Sequence, residues 1–213
     1  YIIFLDSDDE LKKNSFNKIE RLLSKYEYDL ILCLQFKTNK RRINPKRLKQ
    51  INNIDSFISY ENKQHIYNPN CWNMILKKSF LEKKKLFFKK IDIFEDQVFC
   101  TEVLLAANNV KIIPNSFYNY IQRPLSLSRN TNYLALKSCL SVLINFLEIL
   151  KNSRLSNDKI LFIQDRINFI MKIFKHYITI CSETQLEQIA FNFKRYSKKI
   201  KRKNNKLLKK LIE

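Results

Sequence analysis

The chain opens on five apolar residues, Tyr1-Ile2-Ile3-Phe4-Leu5, followed at once by Asp6-Ser7-Asp8-Asp9-Glu10. An unbroken apolar run with β-branched and aromatic members predicts a strand buried on both faces. We expect it at the centre of a sheet. It carries no initiator Met and no polar lead-in, so the chain reads as a segment of a longer protein that begins at a core strand. The spacing of Phe16, Ile19, Leu22 and Leu23 predicts a helix over Ser15 to Lys25, and Asp29 to Phe36 reads as a second strand. Lys37 to Asn53 is basic and aperiodic, which predicts a surface loop. A short helix over Ile54 to Tyr60, a turn at Asn68-Pro69-Asn70 and a helix over Trp72 to Lys83 follow. Leu86 to Phe94 reads as extended or irregular. Val98, Phe99, Val103 and Leu104 predict a helix over Glu95 to Asn108, and Val110 to Ile113 and Phe117 to Ile121 predict short strands around Pro114-Asn115. From Asn132 the pattern becomes long and amphipathic, predicting helices over Asn132 to Lys151, Asn157 to Ile180, and from Glu183 onward. The pattern therefore divides near Ser128 to Thr131 into a mixed α/β part, residues 1–130, and a helical part, residues 131–213.

Composition narrows the chemistry. Among 213 residues there is no glycine, where ordinary usage gives about fifteen. That excludes the P-loop, the Gly-rich dinucleotide turn and the EF-hand calcium loop, each of which needs glycine where backbone turns sharply or touches phosphate. Lys and Arg number 40 against 20 acids, a formal charge of +20. Abundant Lys, Asn, Ile, Phe and Tyr with scarce Gly, Pro and Ala also fit an AT-rich genome, so part of that charge follows from codon bias. The five cysteines, Cys33, Cys71, Cys100, Cys139 and Cys181, form no CxxC pair. With two histidines, His65 and His176, they predict neither a zinc site nor a disulfide framework and suit a reducing, cytoplasmic setting. No unbroken apolar run approaches the roughly 18 residues of a membrane span; the nearest, Ser141 to Leu150, is interrupted by Asn145 and Glu148.

An apolar strand that ends in nearly adjacent carboxylates concentrates like charge, which raises each carboxyl pKa unless something offsets it. A divalent cation with oxygen ligands is one such offset, and the carboxyl end of a strand is where open α/β sheets bind ligands. The other reading is an acidic helix start, with Asp8, Asp9 and Glu10 facing a helix N-terminus. A haloacid-dehalogenase-type motif fails at Glu10, which lacks the required hydroxyl or small side chain, and an EF-hand fails at Leu11.

With these residues in view, YIIFLDSDDEL resembles the D-x-D segment of family 2 glycosyltransferases with the GT-A fold. Three further segments follow in the same order. CWNMILKKSFL at Cys71 to Leu81 is similar to the family's W-N-x-x-x-[KR]-x-x-[FL] segment, and IFEDQVF at Ile93 to Phe99 to its E-D-x-x-F motif. FYNYIQRPLSLSRN at Phe117 to Asn130 is similar to Y-x-Y-x-x-R-x-x-S-[IL]-S. The resemblance covers about residues 1 to 130. It implies a partial GT-A-like mixed sheet with flanking helices, an α/β fold, followed by a basic all-helical region. The family's nucleotide-binding half would lie upstream of Tyr1, so the segment by itself is expected to transfer no sugar.

The same resemblance assigns roles. Asp6 would lie near the ribose or base and contribute to a metal site; Asp8 would coordinate Mg²⁺ or Mn²⁺ bridging the diphosphate of a nucleotide-sugar donor. Asp96 would be the catalytic base, accepting the proton of an acceptor hydroxyl in a single displacement with inversion, and Glu95 would bind acceptor or sugar hydroxyls. Plain N-terminal helix charge is the alternative for this pair. Asp9 is either a supporting ligand or the acidic cap of the next helix, and we expect the cap. Trp72, the single tryptophan, would stand beside a sugar or else pack in the core. Arg123 would pair with the diphosphate or be a surface arginine, with Ser126 beside it. Tyr118 and Tyr120 are expected to be packing residues. Some relatives place a metal-contacting His in this last segment, and none occurs here.

Lys194 to Lys210 holds ten Lys and Arg and no acid. Three readings remain open for this stretch: phosphate contacts to nucleic acid, a solvated face enriched by codon bias, and attachment to an anionic membrane surface with Ile200, Leu207, Leu208 and Leu211 as apolar anchors. The function expected is transfer of a sugar to a glycan or lipid-linked acceptor in bacterial surface-polysaccharide assembly, in the cytoplasm at the inner face of the membrane. The alternative is a non-catalytic basic helical module that binds nucleic acid or anionic membrane.

Overall fold

The computed structural model describes residues 1–34, 48, 51, 53–67, 69–113, 117–121, 132–152 and 154–200, apart from the side chains of residues 152, 192, 193 and 195–200. Its strands are β1 (Ile2–Ile3), β2 (Glu10–Leu11), β3 (Leu30–Cys33), β4 (Met74–Leu76), β5 (Val110–Ile113) and β6 (Tyr118–Asn119). Its helices are α1 (Ser15–Leu23), α2 (Ile54–Gln64), α3 (Lys78–Lys84), α4 (Glu95–Ala106), α5 (Asn132–Asn152), α6 (Asn157–Ile178) and α7 (Glu183–Ile200), with a 3₁₀ turn at Cys71–Asn73. Four strands form one mixed sheet in the order β1-β4-β3-β5, antiparallel except for the β3–β5 pair. β2 and β6 make a separate antiparallel ribbon.

Strand periodicity explains how both faces of the sheet are covered. Ile31, Cys33 and Ile75 project to one side and pack with Ile19 of α1. Leu30, Leu32, Met74, Leu76, Val110 and Ile112 project to the other side and join the main core with α2, α4, α5 and α6. Successive strand residues point to opposite faces, so a sheet buried twice reads as a continuous apolar run.

The helices after residue 131 share that main core. Cys139, Val142, Phe146 and Leu147 of α5, and Phe162, Ile163, Ile167 and Ile170 of α6, belong to it. The opposite side of α5, with Leu136, Leu140 and Ile144, packs with Ile189 of α7. Residues Asn132–Lys151 are long and apolar enough to cross a membrane by length and composition. Burial on two sides gives a sufficient reason for that composition, since a helix covered on both sides needs no polar face.

Three expectations change. β1 was expected to be buried and central; it is a two-residue strand at the sheet edge, paired with β4 alone among the described residues, and Tyr1 and Leu5 are exposed. Trp72 to Lys83 was expected to be one helix. It divides into the 3₁₀ turn, β4 and α3, because Met74-Ile75-Leu76 enters the middle of the sheet and is buried on both faces. Phe16, expected on the buried face of α1, is exposed. The α1, α4, β5 and β6 expectations agree with the observed elements within a few residues, and α2 runs longer than expected. The basic loop after Phe36 falls almost wholly outside the described residues, as does the Ser128 to Thr131 boundary.

One buried ion pair ties α6 to α2. Arg166 Nη2 lies 3.6 Å from Glu61 Oε1, and Arg166 Nη1 donates to the Tyr67 carbonyl at 3.3 Å. Glu61 Oε2 accepts the N–H of Ile66 at 2.8 Å and of Tyr67 at 2.9 Å. Burial pushes the Glu61 carboxyl up to about 7, against the pull of these N–H groups and Arg166. Removing one partner leaves a charge buried without compensation. Arg166→Ala should therefore cost about 3–5 kcal/mol at pH 8, measured by urea denaturation; a loss below about 1 kcal/mol would show that the pair is not what joins the two helices.

Candidate active site

Antiparallel pairing of β1 with β4 sets Ile2 opposite Leu76 and Ile3 opposite Ile75. Continued along the chain, that register brings the residues that follow β1 toward those that precede β4. Asp6 thereby approaches the Cys71–Asn73 turn. α4 begins nearby with Glu95 and Asp96 in its first turn, where the helix's partial positive charge favours carboxylates. Phe94, just before it, takes the left-handed conformation (φ 68°, ψ 21°). A bulky residue there is costly, by about 1–2 kcal/mol. The glycine-free chain places Asn14, His65 and Lys85 in the same region.

The acidic turn is held from β6. The Asp9 N–H donates to the Asp6 carbonyl at 3.1 Å. Asp9 is 8% exposed; its Oδ2 accepts the Tyr118 hydroxyl at 2.6 Å and its Oδ1 accepts the Ile121 N–H at 2.8 Å. The Tyr118 oxygen also accepts the Asp6 N–H at 3.1 Å. Asp9 was expected to cap α1 and does not, because its carboxylate is taken up in fastening the turn; the residue at the α1 cap is Asn14. Tyr118 is more than packing. Its ring stacks on Trp72 at 4.6 Å and 17°, and Tyr120 lies at 6.0 Å and 11° from the same indole. Residues two apart on a strand share a face, so the Y-x-Y spacing was the signal for this pair of rings. Trp72 is half-buried and lines a small apolar pocket with Ile3, Leu11 and Ile75, a packing environment.

Electrostatics link the two acidic segments. The Asp6 carboxyl is raised above its ordinary value by burial first, then by the charges of Asp9 and Asp8, against a lowering hydrogen bond from Tyr118. The Asp96 carboxyl is pushed up to about 7, chiefly by burial, then by Glu95 and also by Asp6, while hydrogen bonds from Gln97 lower it. The Cys71 thiol is pushed up to about 12 by burial and by Asp96, Asp6 and Glu95. Asp6, Cys71, Glu95 and Asp96 therefore lie within one another's fields. Cys71 was not expected here. Asp8 is half-exposed in the same turn. Arg123 and Ser126 lie outside the described residues.

Among the described residues no three His, Cys, Asp or Glu side chains come close enough together to hold a metal ion. Mg²⁺ commonly takes one or two carboxylates and completes its shell with water and substrate phosphate, and Asp6 is exposed and Asp8 half-exposed, so solvent reaches both. The crowding that raises Asp6 is the kind a cation relieves.

No family model matches the chain, and no curated protein does. It is similar to crystal structures of S. aureus TarS residues 1–349: one without a named ligand (16% identity, TM-score 0.45), one with UDP-GlcNAc (16%, 0.49) and one with UDP (15%, 0.45). These alignments cover 85%, 85% and 83% of this chain and 48%, 49% and 45% of TarS 1–349. The chain thus spans about half the length of the structures it matches.

A carboxyl whose pKa is raised on folding binds its proton more tightly in the folded state, so stability is lost as pH rises from the ordinary carboxylate value toward the folded one. For Asp96 that window runs from about 4 to about 7. Asp96→Asn should melt above the wild type at pH 8, with the difference vanishing below pH 4. A variant that melts lower at pH 8 would show that the charged carboxylate is not under strain.

Proposed function

We propose that this chain carries the catalytic part of a glycosyltransferase that moves a sugar from a nucleotide-sugar donor to a hydroxyl acceptor with inversion. The observation that supports it most is the meeting of the Asp6–Asp9 turn with Asp96, whose carboxyl is raised to about 7 in part by Asp6. A base with a pKa near the working pH is well matched to take a proton from an alcohol in a transition state. Asp96 accepts the proton of the acceptor hydroxyl as its oxygen attacks the anomeric carbon. The bond from that carbon to the nucleoside diphosphate breaks, and the leaving oxygen departs with the electron pair. Glu95 binds hydroxyls of acceptor or sugar. Asp8, with Asp6, would hold Mg²⁺ or Mn²⁺ against the diphosphate, where the cation supplies charge neutralisation for the leaving group.

The arrangement around Asp9 supports a positioning role. With Asp9 spent on Tyr118 and Ile121, the turn is fixed at Asp6 and at Asp9, and Asp8 lies between them. Arg123 and Ser126 complete the diphosphate contacts in this reading, and Trp72 stands at the wall of the site. The acceptor is a glycan or lipid-linked hydroxyl compound of surface-polysaccharide assembly, met in the cytoplasm at the inner membrane face.

UDP, the nucleotide in one TarS structure, is a suitable probe. Calorimetry of the parent protein with UDP should give Mn²⁺-dependent binding that Asp8→Ala weakens at least about tenfold, the scale of losing a group that holds a metal. Unchanged binding in Asp8→Ala would remove the centre of the proposal. Transfer by the parent protein should fall as pH drops below about 7, tracking protonation of Asp96, and Asp96→Asn should flatten that profile while lowering the rate about 10²–10⁴-fold. A profile that persists in Asp96→Asn would assign the base elsewhere.

A further inference from the structure

The segment from the end of α3 to Lys90 reads Lys83-Lys84-Lys85-Leu86-Phe87-Phe88-Lys89-Lys90. It is built as an outward-facing apolar tip inside a ring of positive charge. α3 is capped by Lys85, which takes the left-handed conformation (φ 54°, ψ 46°) while its N–H donates to Glu82 and Leu81 carbonyls. The chain then turns sharply and runs on without regular structure. Leu86 is buried and anchors the start of the segment. The Phe88 ring, itself 38% exposed, holds its middle by stacking on Phe99 at 4.1 Å and sitting edge-on to Phe4 at 5.2 Å. Between these two anchors Phe87 projects outward and is 62% exposed.

Charge around this tip is one-sided. Lys83, Lys84, Lys85 and Lys90 are exposed, and among the described residues none of them pairs with a carboxylate. Lys89 is engaged by Glu102 at 3.0 Å and Lys78 by Glu82 at 3.8 Å. The nearest following acid in sequence, Asp92, is met by Lys137 at 3.9 Å. A phenyl ring held out in water by a rigid support, flanked by unpaired ammonium groups, has the composition of an interfacial anchor. The ring gains by entering the headgroup boundary, and the lysines gain from anionic headgroups.

We infer that the Lys83–Lys90 segment docks on an anionic lipid bilayer, with Phe87 inserted and Lys83, Lys84, Lys85 and Lys90 on the headgroups. This is a surface on described, packed structure, apart from the basic stretch after Lys194, and it stands whether or not the chain transfers sugar. Because Phe88 packs on Phe4, two residues before Asp6, docking would bring the acidic turn close to the bilayer surface.

The test is flotation of the full chain with vesicles of phosphatidylcholine alone or mixed with phosphatidylglycerol. Binding is expected only with the anionic lipid and should weaken with added salt. Phe87→Ser should weaken it about tenfold, the expected scale for withdrawing one aromatic ring, while Phe87→Leu should retain it. Reversing Lys83, Lys84 and Lys85 together to Glu should weaken binding at least about a hundredfold, on the basis of about fivefold per lysine. The matched reversal of Lys13, Lys18 and Lys25 on or beside α1, all exposed, should have a clearly smaller effect. Melting temperatures of all variants are checked against the wild type and should be unchanged in Phe87→Ser. Undiminished vesicle binding in Phe87→Ser overturns the inference. So does equal weakening by the α1 reversal, or stronger retention of a single-stranded oligonucleotide than of vesicles by the same residues.

Discussion

The register of β1 on β4 is the constraint from which the site follows. Three buried residues, Met74, Ile75 and Leu76, take both neighbours in the sheet, β1 on one side and β3 on the other. Antiparallel pairing inverts sequence order across the sheet, so residues leaving β1 meet residues arriving at β4. The acidic turn and the Cys71–Asn73 turn are therefore neighbours by geometry. A shift of one residue would exchange the faces of Ile2 and Ile3, moving Ile3 away from Ile19 and into the helix-covered core. Packing on both faces makes that slip expensive, and the position of Asp6 inherits the precision.

Crowded carboxylates are tolerated at this end of the sheet because they are treated differently. Asp9 is buried and receives the Tyr118 hydroxyl and the Ile121 N–H, so its charge is offset by fixed donors. Asp96 has hydrogen bonds from Gln97 but remains raised, because burial outweighs them. The result is two acids in different settings, Asp9 buried and fastened by fixed donors and Asp96 half-buried with its carboxyl raised to about 7.

α1 was legible because one apolar face meets one polar face, whereas α4 is buried on most sides and was legible from the spacing of Val98, Phe99, Val103 and Leu104; both starts coincide with the expected ones. β4 was not, because Met74-Ile75-Leu76 preceded by Trp72 and followed by Phe80 and Leu81 satisfies a helical spacing as well as a short buried strand, and periodicity alone cannot separate the two. β1 looked central because its five residues are apolar, yet only burial of the flanking chain decides whether such a run is covered. In the site, the acidic residues themselves could be found from D-x-D and E-D. Their partners could not. Asp9 reads as a helix-start acid in sequence, and only a strand more than a hundred residues away shows that it accepts hydrogen bonds instead. Cys71 carries no pattern that would announce its place among carboxylates.

That long reach has a kinetic side. The bonds that fasten Asp9 join residues 109 and 112 positions apart, and β2 meets β6 over a similar span. Contacts of this kind are made only after a large loop has been closed, and they slow folding relative to local ones. On a chain synthesised from its amino end, the Asp6–Asp9 turn emerges more than a hundred residues before Tyr118 and Ile121 and waits for them before it has a shape. Asp6 spends that interval in water, and its raised carboxyl, which depends on burial and on Asp9 and Asp8 being held beside it, comes only with that long-range closure.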